Sequence, residues 1–374
     1  MTSQERLTTV LQGRLPDRVP ISTYELLGWE EEGWYAEQPS YEGLRRLIRE
    51  KADCMYLIGP GCRYGIEALL IDPDPRLCET RVWQEGQSEY TETILHTPCG
   101  LLRNLARVDG DVNTTWRLEH WLKDEEDVRR FLSLPFKPIL ADTSGFGPAA
   151  ERIGDAGLLL ISVADPLLMV SELFDFSTFL TLVFTARSCI DALMELMSER
   201  LYAYLEPVIA AWPGACYRIC GPEYATPPYL PPRLFKELVV DYDRKLIGMI
   251  HRAGAYARIH CHGRIGQVLD LLAELEPDAL DPIESSPDSD ITLAEVKRRI
   301  GDRISLFGNI QLRDLEYRTE AEVEDLVRQA IDTAAGGGRF VLMPTSAPII
   351  SPLPAQTERN YIRFIEAGLK YGRY

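Results

Sequence analysis

The residues best equipped for chemistry lie in Arg258-Ile259-His260-Cys261-His262-Gly263. The sequence holds only five histidines, and three of them, His251, His260 and His262, fall in one short stretch. On a β-strand alternate side chains share a face. A strand over 256–262 therefore turns Tyr256, Arg258, His260 and His262 one way, and Ala257, Ile259 and Cys261 the other. Two imidazoles two residues apart can grip one metal ion, and neutral imidazole suits zinc. The competing reading is a pair of hydrogen-bonded histidines near a strand end. Cys261, on the opposite face, reads as packing and not as a ligand.

A zinc site with an open position needs about three protein ligands. Glu223, in Cys220-Gly221-Pro222-Glu223-Tyr224, and Glu284, in Asp281-Pro282-Ile283-Glu284, each stand just past an apolar run. Both are candidate metal ligands or catalytic bases, and either alone reads equally as a loop carboxylate. Asp281 is a candidate partner for an imidazole N–H. Asn309, in Phe307-Gly308-Asn309-Ile310, offers donor and acceptor groups for a substrate or for a turn. Tyr24, with Glu25 beside it, and Arg258 are candidate cofactor-binding residues. The proline- and tyrosine-rich loop Tyr224 to Pro232 would either wall an apolar ligand or stiffen a connection.

These residues need elements to hold them. Apolar runs at 54–58, 157–163, 216–220, 256–262, 279–283, 304–307 and 339–343 alternate with stretches of helical periodicity. Repeated β-then-α units predict a parallel sheet. An open doubly wound sheet shares this pattern. The barrel is favoured because Glu223, His260, His262, Glu284, Asn309 and Ser346 recur at the C-terminal ends of strands, where a barrel gathers its site. No glycine-rich phosphate motif follows a strand, and Gly336-Gly337-Gly338 reads as a helix stop. Residues 80–107 carry alternating apolar residues and turns at Glu85-Gly86 and Pro98-Cys99-Gly100, a hairpin or small meander. Pro135 to Pro138 reads as a linker. The expected architecture is α/β: a single (β/α)8 TIM-type barrel over 1–374 with an inserted β-hairpin near 80–107.

Composition removes several function classes. The 40 Lys+Arg against 57 Asp+Glu give a net charge of −17. That excess argues against sequence-independent nucleic-acid binding and against docking on an anionic membrane. No apolar run reaches the roughly 18 residues of a membrane span, and Met1 to Arg14 lacks the apolar segment of a secretory signal. Eight scattered cysteines without a CxxC pair suit a reducing, cytoplasmic location.

Several motifs then occur in a familiar order. Glu5-Arg6 to Pro16-Asp17-Arg18-Val19-Pro20 forms an opening helix and strand. Thr97-Pro98-Cys99-Gly100 matches a "TPxG" hairpin, and Pro231 to Tyr242 a "SPxxFxexvxPy" helix. The His-Cys-His-Gly strand and Gly308-Asn309-Ile310 follow. Together they resemble the uroporphyrinogen decarboxylase-like superfamily, which includes the cobalamin-dependent methyltransferases. The resemblance implies a TIM-type barrel. The decarboxylases carry an "RQAGR" motif after the first strand and an aspartate after the second. Here Ser22-Thr23-Tyr24-Glu25-Leu26 and Ile58-Gly59-Pro60 stand instead. The methyltransferase branch binds zinc through a His-x-Cys pair and a later cysteine. Here His260 matches, His262 replaces the first thiolate, and Ser346 is nearest the second.

Imidazoles and carboxylates are harder ligands than thiolates, so such a zinc would suit an oxygen compound such as a methyl ether or alcohol. The resemblance thus implies a zinc-dependent methyltransferase or demethylase. It would move a methyl group between a small-molecule donor or acceptor and a corrinoid carried on a partner protein. No segment here resembles a corrinoid-binding domain. A homodimer is also expected. The alternatives are a decarboxylase, a lyase of the porphyrin type, with Arg258 and Arg264 holding carboxylates, and a non-catalytic ligand-binding barrel.

Overall fold

The computed structural model describes residues 1–60, 77–135 and 139–374, so most of the expected linker at 135–138 lies outside the described residues. Seven parallel strands form one sheet: β1 (Cys54–Ile58), then, after an inserted unit, β6 (Gly157–Ala164), β7 (Cys216–Cys220), β8 (Tyr256–His260), β9 (Ala279–Ile283), β10 (Ser305–Ile310) and β11 (Phe340–Pro344). They lie in sequence order, each paired with the next in parallel register. The strands are buried on both faces and largely apolar, with helices covering the outside. The longest helix, Arg187–Ala211, buries Ile190, Leu193, Met194 and Met197.

The sheet curls, and its two ends meet at the segment around Ile21. Ile21 bridges Leu342 in parallel, and the Asp53 amide donates to the Ile21 carbonyl at 2.7 Å. The fold is thus an α/β, TIM-barrel-like one. It differs from the expected eight full strands, since the first strand shrinks to a single bridge. Side chains fix this segment: Arg6 donates to Asp17 at 2.7 Å and to Asp53 at 2.6 Å, and Arg18 donates to Asp53 at 2.8 Å. The opening motif of the sequence is a partly buried ion-pair network, centred on the fully buried Asp53, that closes the sheet.

The inserted unit is larger than a hairpin. Strands β2 (Cys78–Glu85), β3 (Ser88–Thr97), β4 (Gly100–Asp109) and β5 (Thr115–Glu119) make a four-stranded antiparallel sheet. The turns fall where the sequence put them. The fourth strand, Thr-Trp-Arg-Leu-Glu, escapes notice because it is almost wholly solvated and shows no buried face. Leu95 and Leu102 form the buried face of this sheet. No described helix is long and apolar enough to cross a membrane.

Candidate active site

Strand register brings the chemical residues to one level. Arg218 of β7 lies opposite Arg258 of β8, Cys220 opposite His260, and His260 opposite Asp281 of β9. All four polar side chains point inward and are buried, with Asp281 at 0% exposure and Arg258 at 1%.

Asp281 is the hub. Arg258 donates from Nε and Nη2 to its two oxygens at 2.8 and 2.7 Å. His260 Nδ1 lies 3.1 Å from Oδ2, and Arg218 Nε 3.7 Å from it. Burial alone would raise this carboxyl, but the Arg258 charge and the neighbouring positive groups outweigh it and hold Asp281 well below the usual range. The Arg258 guanidinium also sits 4.2 Å above the Phe307 ring.

Arg218 is held just as firmly. Nη1 donates to Glu25 at 2.7 Å, and Nη2 to the Tyr24 hydroxyl at 2.6 Å. The same Nη2 lies 3.0 Å from His260 Nδ1 and 3.2 Å from Nε2. One atom can be that close to both ring nitrogens only from above the ring, since an in-plane approach would collide with the carbon between them. The guanidinium therefore covers the face of the imidazole. Burial first, and then the Arg218 charge, push the His260 pKa down to about 3. His260 is neutral at ordinary pH. With Nδ1–H given to Asp281, its Nε2 is a lone-pair acceptor, a tautomer assigned from the hydrogen-bond network.

His262 is its opposite. The strand ends at His260, so His262 stands on the loop beyond it, its side chain 35% exposed. Its Nδ1 is 3.2 Å from Glu284 Oε1, and Glu284 Oε2 accepts the Gly263 amide at 2.7 Å. Burial opposes the charged imidazole, but the Glu284 hydrogen bond and the charges of Glu284 and Glu223 outweigh it and raise its pKa. Glu223, half-buried, accepts the Gly221 amide at 3.2 Å, and burial raises its own carboxyl. The rings of His260 and His262 meet edge to face with centroids 4.6 Å apart. A neutral acceptor thus sits beside an imidazole inclined to carry a proton.

The low His260 value has a stability consequence. The unfolded histidine titrates near 6.5, so between pH 6.5 and about 3 the unfolded chain binds a proton that the folded chain refuses. Stability should fall with acidification across that window, by about 1.4 kcal/mol per pH unit at the steepest. Urea titrations of His260→Gln at pH 4 to 7 should show that slope removed. The raised His262 acts on the other side. Its contribution is fully present below the unfolded value of about 6.5 and is lost as pH rises through the folded one.

The expected zinc does not fit this donor set. Among the described residues no three His, Cys, Asp or Glu groups are arranged to hold a metal ion. Glu284 uses both oxygens on His262 and Gly263, Glu223 accepts Gly221, and a guanidinium already lies on His260. Ser346 contributes its carbonyl to Tyr361 at 3.5 Å, and among the described residues its hydroxyl makes no hydrogen bond.

Asn309 turns elsewhere. Its Nδ2 donates to Ser285 Oγ at 2.8 Å, and it lines a lateral cavity of about 450 Å³ whose walls include Gln311 and Arg313 but neither histidine. Tyr224 and Tyr229 pack on Phe176 at 5.6 and 4.9 Å, which makes their loop a stiff connection. Tyr24 does meet the site, through Arg218, and so does Glu25. Cys261 is fully buried behind the rim, as expected of a packing residue. Arg264 is exposed. The sequence reading missed Arg218. Its signal was a charged residue at the centre of the otherwise apolar strand Cys-Tyr-Arg-Ile-Cys.

The sequence profile of uroporphyrinogen decarboxylase (URO-D) matches residues 149–352, more than half of the chain. The chain belongs to the URO-D family. All of β6 to β11, and with them Arg218, His260, His262, Asp281 and Glu284, fall within the matched URO-D region. No curated protein matches the sequence. Among 31 matching solved chains is a methyltransferase from Methanosarcina mazei, 15% identical over 99% of each chain, with a TM-score of 0.61. That likeness shows a shared fold across the length of this URO-D member.

Proposed function

We propose that this URO-D family member is an enzyme of methyl transfer. It moves a methyl group between the oxygen of a small substrate and a corrinoid carried on a partner protein. The observation that carries this reading is His262, an open imidazole at the strand ends with Nδ1 bound to Glu284 and Nε2 free of hydrogen bonds among the described residues. A methyl ether that gives up its methyl leaves an alkoxide or phenolate behind, a poor leaving group in water. An imidazolium held by Glu284 and Glu223 supplies the proton that turns it into an alcohol. In the reverse direction the same nitrogen takes the proton from the hydroxyl. The corrinoid supplies the methyl acceptor or donor, and the residues of this chain orient the substrate oxygen and manage its proton. Support for methyl chemistry comes also from the fold shared with a methyltransferase.

Decarboxylation of a polycarboxylate is less well served. The buried Arg258 is committed to Asp281 and Arg218 to Glu25, and the half-exposed Glu25 would repel an acidic substrate. The test is to mix the full chain with cob(I)alamin and a set of O-methyl compounds, and in parallel with uroporphyrinogen under anaerobic conditions. Methylated corrinoid and demethylated alcohol in equal amounts are expected. Loss of carboxyl groups from uroporphyrinogen, with no methyl transfer, would replace this reading by the decarboxylase one.

A further inference from the structure

We propose that the two-histidine site works without a metal ion, the Arg218 guanidinium standing where a metal's charge would act, and that His260 Nε2 accepts a hydrogen bond from the substrate. This rests on reading the strand-end cluster as the active site.

Three observations carry it. The first is placement. Arg218 Nη2 lies within 3.2 Å of both His260 nitrogens, so a divalent ion on Nε2 would face a fixed positive charge across the same ring. The guanidinium has no room to swing away. Glu25 and the Tyr24 hydroxyl hold its two ends, and its side chain is 4% exposed.

The second is charge balance. Asp281 and Glu25 already offset Arg258 and Arg218, two negative groups against two positive ones. A zinc site usually brings anionic or neutral donors in excess, so that the dication is neutralised. On the Arg218 side of His260 no negative charge is left over, and the Glu284 and Glu223 carboxylates stand on the side of His262, where Glu284 already holds Nδ1.

The third is the donor count. Carboxylates behind both imidazoles resemble the outer partners of metal-bound histidines. Yet Asp281 and Glu284 spend their oxygens on those N–H groups and on Arg258 and Gly263. Two imidazoles remain, Glu223 already accepts the Gly221 amide, and among the described residues no third donor is placed with the imidazoles to give the three or four protein ligands that zinc takes.

The consequence concerns substrate class. A lone-pair acceptor at Nε2 selects a ligand that brings its own O–H or N–H, such as an alcohol, a phenol or an amine. A metal would instead select a lone pair. Substrates carrying a hydroxyl beside the methylated oxygen suit the pair of histidines, with one group donating to His260 and the other receiving from His262.

The test is calorimetric titration of the full chain with zinc chloride, alongside metal analysis of the protein as purified. Wild type is expected to hold less than about 0.1 equivalent of zinc at the histidines. Arg218→Met is expected to bind zinc about 10–100-fold more tightly than wild type, as removal of a metal site's outer partner alters affinity on that scale. Near one equivalent of zinc in wild type, lost in His260→Gln, would overturn the proposal. So would an Arg218→Met protein that folds, by circular dichroism, without any gain in zinc affinity. Zinc that His260→Gln retains sits elsewhere and leaves the proposal standing. If Arg218→Met does not fold, wild type and His260→Gln decide alone. None of these readouts uses methyl transfer, so failure of the proposed reaction and failure of the metal-free site are seen separately.

Discussion

Asp281→Asn should destabilise the protein by about 3–5 kcal/mol, the cost of leaving buried charge without its partner. Asp281 is fully buried and answers Arg258 with two hydrogen bonds and His260 with a third. The substitution keeps the shape and one acceptor but removes the negative charge. Two guanidiniums are then left in the strand layer, with only the half-exposed Glu25 opposing them. A loss of that size is a large fraction of the roughly 5–15 kcal/mol that holds a domain folded. Urea denaturation at pH 7 measures it. Adding Arg258→Met to Asp281→Asn should restore part of the loss, because the double variant no longer buries the more tightly paired cation. A single variant within about 0.5 kcal/mol of wild type would show that Asp281 is not the electrostatic hub.

The second large effect is on rate. His262→Gln should lower kcat for methyl transfer by about 10²–10⁴-fold, the usual contribution of a positioned proton donor or acceptor. KM should change little, since glutamine keeps a hydrogen-bonding group in place. Glu284→Gln should act in a different way. Glu284 raises the His262 pKa through a hydrogen bond and its charge, so its removal lowers that pKa toward about 6.5. A donor must be protonated to act. In the demethylation direction the rate falls as pH rises through the His262 value, and in Glu284→Gln that fall should move to lower pH. A pH profile identical to wild type would remove Glu284 from this role.

Much of the scaffold was legible from the order of residues alone. Strands Cys54–Ile58, Cys216–Cys220 and Ala279–Ile283 coincide with the apolar runs, because strands buried on both faces are mostly apolar, Arg218 and Asp281 being the exceptions that turn into the site. The element that failed most was the strand at 256–262. Alternation put both histidines on one face, but the strand stops at His260, and a loop brings His262 to the same place by another route. Helix Phe146–Ile153 was hidden by Gly147 and Pro148 in its first turn. Helix Leu312–Tyr317 is too short to show periodicity.

The site was legible in its histidines, in Asp281 as an imidazole partner, and in Tyr24. It was not legible in Arg218, because periodicity marks a buried strand without saying which charge it will tolerate. That depends on Asp281, Tyr24 and Glu25, which come from distant parts of the chain. Asn309 failed for a related reason. Its position at a strand end was read correctly, but its side chain pairs with Ser285 and faces the lateral cavity.

The central claim is tested most directly by methyl transfer from an O-methyl substrate to cob(I)alamin with protein stripped by chelator and shown to be zinc-free. Undiminished transfer, falling steeply in His262→Gln, is the predicted result. Transfer that disappears with the metal and returns only when zinc is added back would contradict it.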